Sequence, residues 1–219
     1  MEKSYKMIKQ YAEASFVERK SRFISYAMPI TTEEEAIQIL NTIRKKHYDA
    51  THNCYAYILG ENAEVQRSSD DGEPSGTAGV PILEILRKES LTNTIVIVTR
   101  YFGGILLGAG GLIRAYAEGA KMAVSAAGII EVKKFSFFSV HIDYSYLGKI
   151  QHEAMKREYI ILDTNYTDMV QITFLIPPDL KDALTEDINN WTNGNVLIEH
   201  LKDDMVKVDL DTGKPVQLG

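Results

Sequence analysis

The alternation of apolar and polar positions divides the 219-residue chain into two halves with different orders of strands and helices. In the first half, strands are predicted where β-branched and aromatic residues alternate or run together, at 11–30, 51–59, 64–69 and 95–98. Helices are predicted where apolar residues recur at helical spacing, after the capping residue Thr32, from Pro81 and from Gly111. The order β-β-α-β-β-α-β-α indicates an α+β domain over residues 1–130.

In the second half, the apolar pattern predicts the order β-α-β-β-α-β over residues 131–219. This order is that of the split βαβ, or ferredoxin-like, sandwich. The last strand is expected in two pieces, 196–201 and 205–210, because Asp203 and Asp204 interrupt its apolar pattern. We therefore expect two α+β domains, 1–130 and 131–219.

One strand-to-helix connection of the first half has an unusual composition, and we call residues 100–114 the glycine junction. Glycine lets a ligand or another backbone approach closely, and a helix start presents unpaired N–H groups to an anion. The junction therefore supplies candidate ligand- or nucleic-acid-binding residues, which are Arg100, Tyr101, Phe102, Gly103, Gly104, Gly108, Gly110, Gly111 and Arg114.

Several of these residues have a simpler explanation. Arg114 can form a solvent-facing pair with Glu118 four residues later on the same helix. Arg100 is harder to explain in this way, because it ends a strand that is otherwise apolar, and strand ends commonly line sites. The neighbouring rings of Tyr101 and Phe102 are either packing residues or a stacking platform for a base.

Further candidates come from a turn-rich loop at 68–81, which is long for a connection within a compact domain. Its candidate residues are Asp70, Asp71, Glu73, Ser75 and Thr77. His52 precedes a buried strand and could act as a base or a phosphate donor, or it could hydrogen-bond the turn.

Charge restricts where a nucleic acid could bind. The net charge is −6, and residues 1–130 carry 15 basic and 15 acidic side chains, which leaves 9 basic and 15 acidic ones in the second half. Because non-specific affinity for nucleic acid comes from neutralising phosphates, any such contact is expected in the first half. The single Cys54 excludes an internal disulfide and is expected to be a buried, inert thiol.

Signals for a membrane and for known catalytic sites are missing from the sequence. No apolar run approaches the roughly 20 residues that span a bilayer, and the N-terminal residues lack a signal-peptide core. A cytoplasmic protein without membrane contact is therefore expected. The phosphate-loop, dinucleotide-binding, nucleophile-elbow and paired-histidine metal motifs are missing or incomplete, so no catalytic residue, metal or cofactor is expected.

Three motifs carry a resemblance to the IMPACT/YigZ family: the run 99–116 through the glycine junction, the run 70–79, and His52–Ala56. The resemblance implies that the first half has the ribosomal-protein-type α+β fold also found in GHMP-type kinases, with no established enzymatic activity. The acidic second half resembles a ferredoxin-like domain that bacterial members append, itself similar to the last domain of elongation factor G. Eukaryotic relatives regulate translation during amino-acid starvation.

Two functions follow as hypotheses. The first is a binding module for RNA, the ribosome or translation factors, in which the glycine junction and the 70–79 loop form the contact. The second is a Mg²⁺-dependent enzyme acting on a nucleotide or another phosphorylated small molecule. In the second hypothesis Asp70, Asp71 or Glu73 would hold the metal and His52 would be the base. The sequence leaves the oligomeric state open.

Overall fold

A computed structural model describes residues 4–210 and 212–216 of the chain. Its strands are β1 (Tyr5–Ile8), β2 (Ala12–Glu18), β3 (Ser21–Pro29), β4 (His52–Leu59), β5 (Val65–Ser69), β6 (Thr94–Tyr101), β7 (Ile129–Ile142), β8 (Ile160–Tyr166), β9 (Val170–Ile176) and β10 (Leu197–Asp209). Its helices are α1 (Glu33–Lys46), α2 (Gly79–Lys88), α3 (Ala109–Ala127), α4 (Tyr144–Lys156) and α5 (Lys181–Thr192). The predicted α+β class is confirmed, and β1 is a strand additional to the predicted order.

The chain forms two compact units. The first unit comprises the described residues up to Val132 together with those from Lys207 onward, and the second runs from Lys133 to Val206. The expected domains, 1–130 and 131–219, are segments predicted to fold separately. The two compact units do not test separate folding, so these bounds stay a prediction. None of the described helices combines the length and apolarity needed to cross a bilayer.

The first unit is built on a five-stranded antiparallel sheet with the order β2-β3-β6-β4-β5. Successive side chains along each strand point to opposite faces, so each strand feeds two apolar layers. One layer packs against α1 through Ala36, Leu40 and Ile43. The other packs against α2 and α3, where it buries Cys54 as expected. The central strand β6 is therefore covered on both faces.

The second unit packs α4 and α5 on strands β7, β8 and β9. The pairs β7–β9 and β9–β8 are antiparallel, and β10 pairs with β7. The break expected in the last strand is wrong, because β10 is continuous from Leu197 to Asp209. Asp203 accepts hydrogen bonds from Ser136 at 2.7 Å and Lys181 at 3.0 Å, and these partners accommodate a carboxylate within the strand.

Candidate functional site

Three side chains form a row across the sheet face that α2 and α3 cover. Arg100 on the central strand β6 is in register with Phe23 on β3 and with His52 on β4. Residues in register on neighbouring strands share a face, and Phe23 belongs to the apolar cluster beneath α2 and α3. The row lies at the end of β6, where the chain leaves the sheet for the glycine junction.

The Arg100 guanidinium is buried and paired with a carboxylate. Its Nη1 donates to Oε1 of Glu73 at 2.7 Å, and its Nη2 donates to Oγ of Ser21 at 3.3 Å. Tyr116 of α3 donates its hydroxyl to the same Glu73 oxygen at 2.7 Å. The side chains of Arg100 and Glu73 are 6% and 3% exposed, so solvent screens this pair little. The pair ties the loop that carries Glu73 to the central strand.

His52 is oriented by the backbone of that loop. Its Nδ1 lies 2.8 Å from the carbonyl oxygen of Asp71, which can only accept, so Nδ1 carries the ring proton. Its Nε2 lies 3.8 Å from Oε2 of Glu73, beyond hydrogen-bond distance. The turn hydrogen bond considered for His52 is thus present, and the second ring nitrogen remains available.

Asp70 fixes the start of α2. Its carboxylate accepts the backbone N–H groups of Gly76, Ala78 and Gly79 at 2.8, 3.0 and 2.8 Å. Burial disfavours the charged carboxylate, but the three N–H donors outweigh burial and hold the pKa of Asp70 below its usual range. Asp70 therefore caps the start of α2 from the loop that precedes this helix.

Two other polar residues of the loop, Asp71 and Thr77, also bond within the protein. Asp71 accepts from Nη2 of Arg44 at 2.6 Å and from a backbone N–H of β4 at 2.7 Å. The Thr77 hydroxyl donates to the carbonyl of Pro74 at 2.6 Å, whereas Ser75 is exposed. Within residues 4–210 and 212–216, no cluster of three or more His, Cys, Asp or Glu residues could hold a metal ion.

Two buried side chains beside the row keep their protons. The Cys54 thiol donates to the carbonyl of Asp70 at 2.9 Å, and Tyr116 donates to Glu73. Burial raises the pKa of the Cys54 thiol and the pKa of the Tyr116 hydroxyl far above their usual ranges. Both groups are therefore hydrogen-bond donors at neutral pH, which supports the prediction of an inert thiol.

The glycines of the junction have distinct structural roles. A Cβ atom on Gly103 would lie 2.0 Å from the backbone carbon of Lys20, so only glycine allows the β2–β3 turn to approach this closely. Gly104 and Gly108 have φ values of +82° and +72°, in the left-handed region that favours glycine. Gly110 and the following glycine form the first turn of α3.

The two aromatic residues of the junction lie in different surroundings. The Tyr101 hydroxyl is 2.8 Å from Nδ1 of His47 and donates to Asp49 at 3.1 Å. Tyr101 packs with the apolar layer of the sheet that α1 covers. Phe102 is 45% exposed, and its ring centroid lies 5.4 Å from the Arg100 guanidinium. Phe102 is therefore the more exposed of the two rings.

A cavity of about 360 Å³ lies between the 72–74 loop and the start of α3, and we call it the junction cavity. Its polar lining includes His52, Glu73 and Arg100. The rest of the lining consists of Thr51 and of residues that contribute backbone or apolar side chains, which are Gly72, Pro74, Phe102, Leu106, Leu107, Gly108, Ala109 and Leu112. The cavity thus combines a few polar groups with mainly apolar walls, as ligand cavities commonly do.

A second concavity, of about 530 Å³, lies on the other side of Leu107, and we call it the cationic groove. Three of its lining residues are exposed cations, Arg19, Arg114 and Lys121. It is also lined by two carboxylates, including Glu118. In the described parts of the chain Arg114 has no carboxylate within 4.0 Å, so the expected pair with Glu118 is not formed.

The structure divides the predicted site residues among several places. His52, Glu73, Arg100, Phe102 and Gly108 line the junction cavity, and Gly111 and Arg114 line the cationic groove. Asp70, Asp71, Ser75 and Thr77 form the loop beside the cavity, and Tyr101 lies with the α1 layer. Ligand binding by these residues stays a prediction.

Sequence reasoning missed Arg19 as a neighbour of Arg114 and did not count Lys121 as a site residue. Arg19 belongs to the β2–β3 turn and donates to the carbonyl of Leu106 at 3.4 Å, a contact 87 residues away in the chain. The sequence signal that could have identified Arg19 as a candidate was the pair of cations in a two-residue turn, where asparagine and glycine are usual. Lys121 follows Arg114 on the polar stripe of α3, and that stripe alone gives no ligand signal.

Comparison with known proteins identifies the family. Residues 19–124 match the family model of the Impact N-terminal domain, and residues 140–195 match a domain of unknown function (DUF1949). The chain is 42% identical to the IMPACT family member YvyE of Bacillus subtilis (strain 168), over 87% of this chain and 88% of YvyE. It is 32% identical to the IMPACT family member YigZ of Escherichia coli (strain K12), over 81% of this chain and 88% of YigZ. A solved crystal structure of a hypothetical protein superposes with a TM-score of 0.57 at 27% identity, covering 92% of this chain and 98% of that one. The extent of these matches shows that the chain belongs to the IMPACT family.

Proposed function

We propose that the protein is a non-enzymatic binding protein that contacts structured RNA of the translation apparatus through its cationic groove. The observation that carries the proposal is a concentration of unpaired cations. Among described residues, no carboxylate lies within 4.0 Å of Arg19, Arg114 or Lys121. Elsewhere in the same unit, Arg44 and Arg87 have carboxylate partners at 2.6 Å. Unpaired cations on one surface are available to neutralise phosphates.

The backbone beneath two cations supports a role for their side chains. Arg19 and Lys20 have φ values of +46° and +64° in a two-residue turn between β2 and β3. Such a turn prefers Asn-Gly, and each non-glycine residue held in this region costs about 1 kcal/mol or more. Cations that occupy these positions despite the cost are expected to serve binding.

Phe102 offers a second kind of contact with RNA. Its ring is 45% exposed and lines the junction cavity together with Leu107, which also lines the cationic groove. Aromatic rings beside a cationic surface stack on unpaired bases of single-stranded nucleic acid. The ring and the cations together can bind an RNA loop.

The overall charge confines such binding to the first unit. The second half of the sequence carries 9 basic and 15 acidic side chains, so it repels phosphate. The link to translation comes from the family, since the resemblance associates its eukaryotic members with regulation of translation. A role in translation would bring the protein to the ribosome, so ribosomal RNA is the structured RNA that we propose as its ligand.

A Mg²⁺-dependent enzyme is the competing function. The carboxylates expected to hold the metal are Asp70, Asp71 and Glu73, and each already accepts hydrogen bonds from protein donors. Mg²⁺ usually binds through free carboxylate and phosphate oxygens. The bonding of these three residues therefore favours binding over metal-assisted catalysis.

The finer fold assignment is also a proposal. The strand order β10-β7-β9-β8 with two helices supports a ferredoxin-like topology for the second unit. The kinship of the first unit with ribosomal-protein and GHMP-kinase domains stays a prediction from the family resemblance.

A double substitution in the β2–β3 turn tests RNA binding without weakening the fold. Arg19→Asn with Lys20→Gly removes two cations and introduces the sequence that this turn prefers, so the variant should be at least as stable as the parent. Gel shift or filter binding with ribosomal RNA fragments should show about tenfold weaker affinity near 0.1 M salt. The slope of log affinity against log salt should fall by about 0.7–0.9, the contribution of one phosphate contact, because Arg19 is the groove cation that the variant removes.

The matched control is Lys45→Ala with Lys88→Ala, which removes two exposed cations of the same unit from outside the groove. Its RNA affinity should stay within about twofold of the parent, because neither lysine faces the groove. Equal affinity losses in the two double variants, or no loss in the turn variant, would contradict the proposal. Binding to intact ribosomes that added ribosomal RNA does not reduce would also contradict the proposal.

A further inference from the structure

Charges of both signs line the cationic groove without pairing with each other. Besides its three cations, the groove is lined by Glu18 and Glu118, which are both exposed. No cation of the described residues lies within 4.0 Å of either carboxylate. Unpaired groups of both signs in one groove are available to a ligand that carries phosphates as well as hydrogen-bond donors.

Helix α3 places one of these carboxylates between two cations. Glu118 follows Arg114 by four residues and precedes Lys121 by three, so the three side chains share one face of the helix. The order from cation to carboxylate is the less favourable one for a helical ion pair, which agrees with the missing pair between Arg114 and Glu118. Glu118 is therefore free to accept hydrogen bonds from a ligand whose phosphates contact the cations on either side.

The floor of the groove is apolar and suits a planar ring. Its side chains are aromatic, aliphatic or small, and they belong to Phe16, Ile85, Leu107, Ala115 and Ala117. The ring of Phe16 stacks on the buried ring of Phe23 with the centroids 5.0 Å apart, so this wall is held in place. An apolar floor beneath a polar rim matches a nucleobase, which has apolar faces and a polar edge.

A further concavity adjoins the groove along α3. It has a volume of about 430 Å³ and shares Glu118 and Lys121 with the groove, and it extends to Met122, Ser125 and Ala14. The two concavities together border a length of α3 rather than a single point. Sites for single-stranded nucleic acid commonly follow several nucleotides of the backbone in this way. Their arrangement therefore favours a strand over an isolated small molecule.

The carboxylate of Glu118 favours one base over the others. An ionised carboxylate only accepts hydrogen bonds, and its two oxygens can accept from two donors that lie side by side. Guanine presents two such donors, N1–H and the N2 amino group, on its Watson–Crick edge. Adenine, cytosine and uracil each place an acceptor beside the donor on that edge, and this acceptor repels a carboxylate. Because base pairing occupies the edge in a duplex, the guanine must be unpaired.

We propose that the cationic groove binds an unpaired guanine nucleotide of a single-stranded RNA segment. The base lies on the apolar floor with its Watson–Crick edge at Glu118, and the flanking phosphates lie at Arg114 and Lys121. This inference deepens the proposed function and rests on it for the identity of the ligand as RNA. It adds the base and the unpaired state of the strand.

RNA hairpins that differ at one loop nucleotide test the choice of base. The test nucleotide is guanosine, inosine, adenosine, cytidine or uridine, and filter binding with the full-length protein gives each affinity. The guanosine hairpin should bind at least about tenfold more tightly than the adenosine, cytidine and uridine hairpins. Inosine keeps N1–H but lacks the N2 amino group, so its hairpin should bind at least about threefold more weakly than the guanosine hairpin.

Two exposed carboxylates provide a matched pair of variants. Glu118→Gln should reduce the preference for guanosine over adenosine to less than about threefold, because the amide group of glutamine presents a donor beside its acceptor. Glu89→Gln removes the same charge at the end of α2, outside the groove, and should keep the preference. The readout is a ratio of affinities, so the change in net charge cancels.

A third variant tests the floor without changing any charge. Ala117→Leu narrows the groove and preserves a good helix former in α3. It should abolish the guanosine preference and leave the slope of log affinity against log salt unchanged, because the phosphate contacts remain. An unchanged preference in this variant would overturn the position of the base.

The outcomes separate this inference from the proposed function. Equal affinity for all five hairpins would overturn the inference, as would an unchanged preference in Glu118→Gln or a lost preference in Glu89→Gln. Weaker RNA binding by Arg19→Asn with Lys20→Gly would still support the proposed function in each of these cases. A guanosine preference that depends on Glu118, with unchanged RNA affinity in the turn variant, would instead support this site and contradict the role of the turn.

Discussion

Glu73→Gln tests whether the buried ion pair at the end of β6 stabilises the first unit. The substitution keeps the size of the side chain and one acceptor oxygen, but it leaves the Arg100 guanidinium buried without a counter-charge. Removing one partner of a buried ion pair costs about 3–5 kcal/mol. Because glutamine can still accept from Arg100 and Tyr116, we expect the lower end, a loss of about 3 kcal/mol in the free energy of unfolding.

Urea unfolding followed by far-UV circular dichroism measures this loss. With a slope of about 2 kcal/mol per molar urea, the midpoint for the first unit should fall by about 1.5 M. Trp191, the single tryptophan, lies in the apolar cluster of the second unit and supplies an internal reference through its fluorescence. The matched control is Glu84→Gln, which breaks an exposed pair with Arg87 and should cost less than about 0.5 kcal/mol.

A loss below about 1 kcal/mol for Glu73→Gln, or one no larger than that of Glu84→Gln, would refute the reasoning. A second variant makes the test sharper. Adding Arg100→Met to Glu73→Gln removes the unpaired buried charge, so the double variant should regain part of the lost stability. A double variant less stable than Glu73→Gln alone would show that charge burial is not the cause.

Three further predictions concern single residues of the fold. The carboxylate of Asp70, with a folded-state pKa below its ordinary value of 3.8, contributes stability that is full above that value and lost as the pH falls below it. Asp70→Asn should therefore cost about 1 kcal/mol at pH 7 and flatten the loss of stability below about pH 4, as measured by urea unfolding across pH. Gly103→Ala should cost about 2–3 kcal/mol because its Cβ would meet the backbone of Lys20, whereas Gly148→Ala, with open space in α4, should stabilise by about 0.5–1 kcal/mol in the same assay. Cys54 should react with a thiol reagent only at the rate of unfolding, because burial keeps the thiol protonated, and fast labelling of the native protein would contradict this.

Local features were predictable where neighbouring residues decide them. Thr32 caps α1 by accepting the N–H of Glu35 at 3.1 Å, as the capping pattern indicated. The continuous β10 was not predictable in this way. Asp203 is acceptable within a strand because Ser136, 67 residues earlier, donates a hydrogen bond to it. In the sequence alone, an acidic residue within an apolar pattern predicts the end of a strand, because its distant hydrogen-bond partner is not known.

The candidate site was predictable in composition but not in arrangement. The glycine junction and the 70–79 loop were identified from their residues, and they meet around the junction cavity. The sequence did not predict which arginine has a carboxylate partner and which does not. Arg100 is buried against Glu73, whereas Arg114, for which an ion pair was expected, is exposed in the groove with no carboxylate of the described residues within 4.0 Å.

The sequence by itself determined most of the secondary-structure elements, without β1 and the continuity of β10, and, through long ordered motifs, the family. Both depend on residues close together in the chain. Only the tertiary structure decided the state of each charged group, because the partners come from distant segments. Glu73 and Arg100 are 27 residues apart and meet because the loop that carries Glu73 bonds to β4, the strand paired with β6. Arg19 joins the groove of α3 through a contact 87 residues away. Hydrophobic periodicity sets which face of a strand is buried, but strand order and register set which charges are neutralised and which remain to bind a ligand.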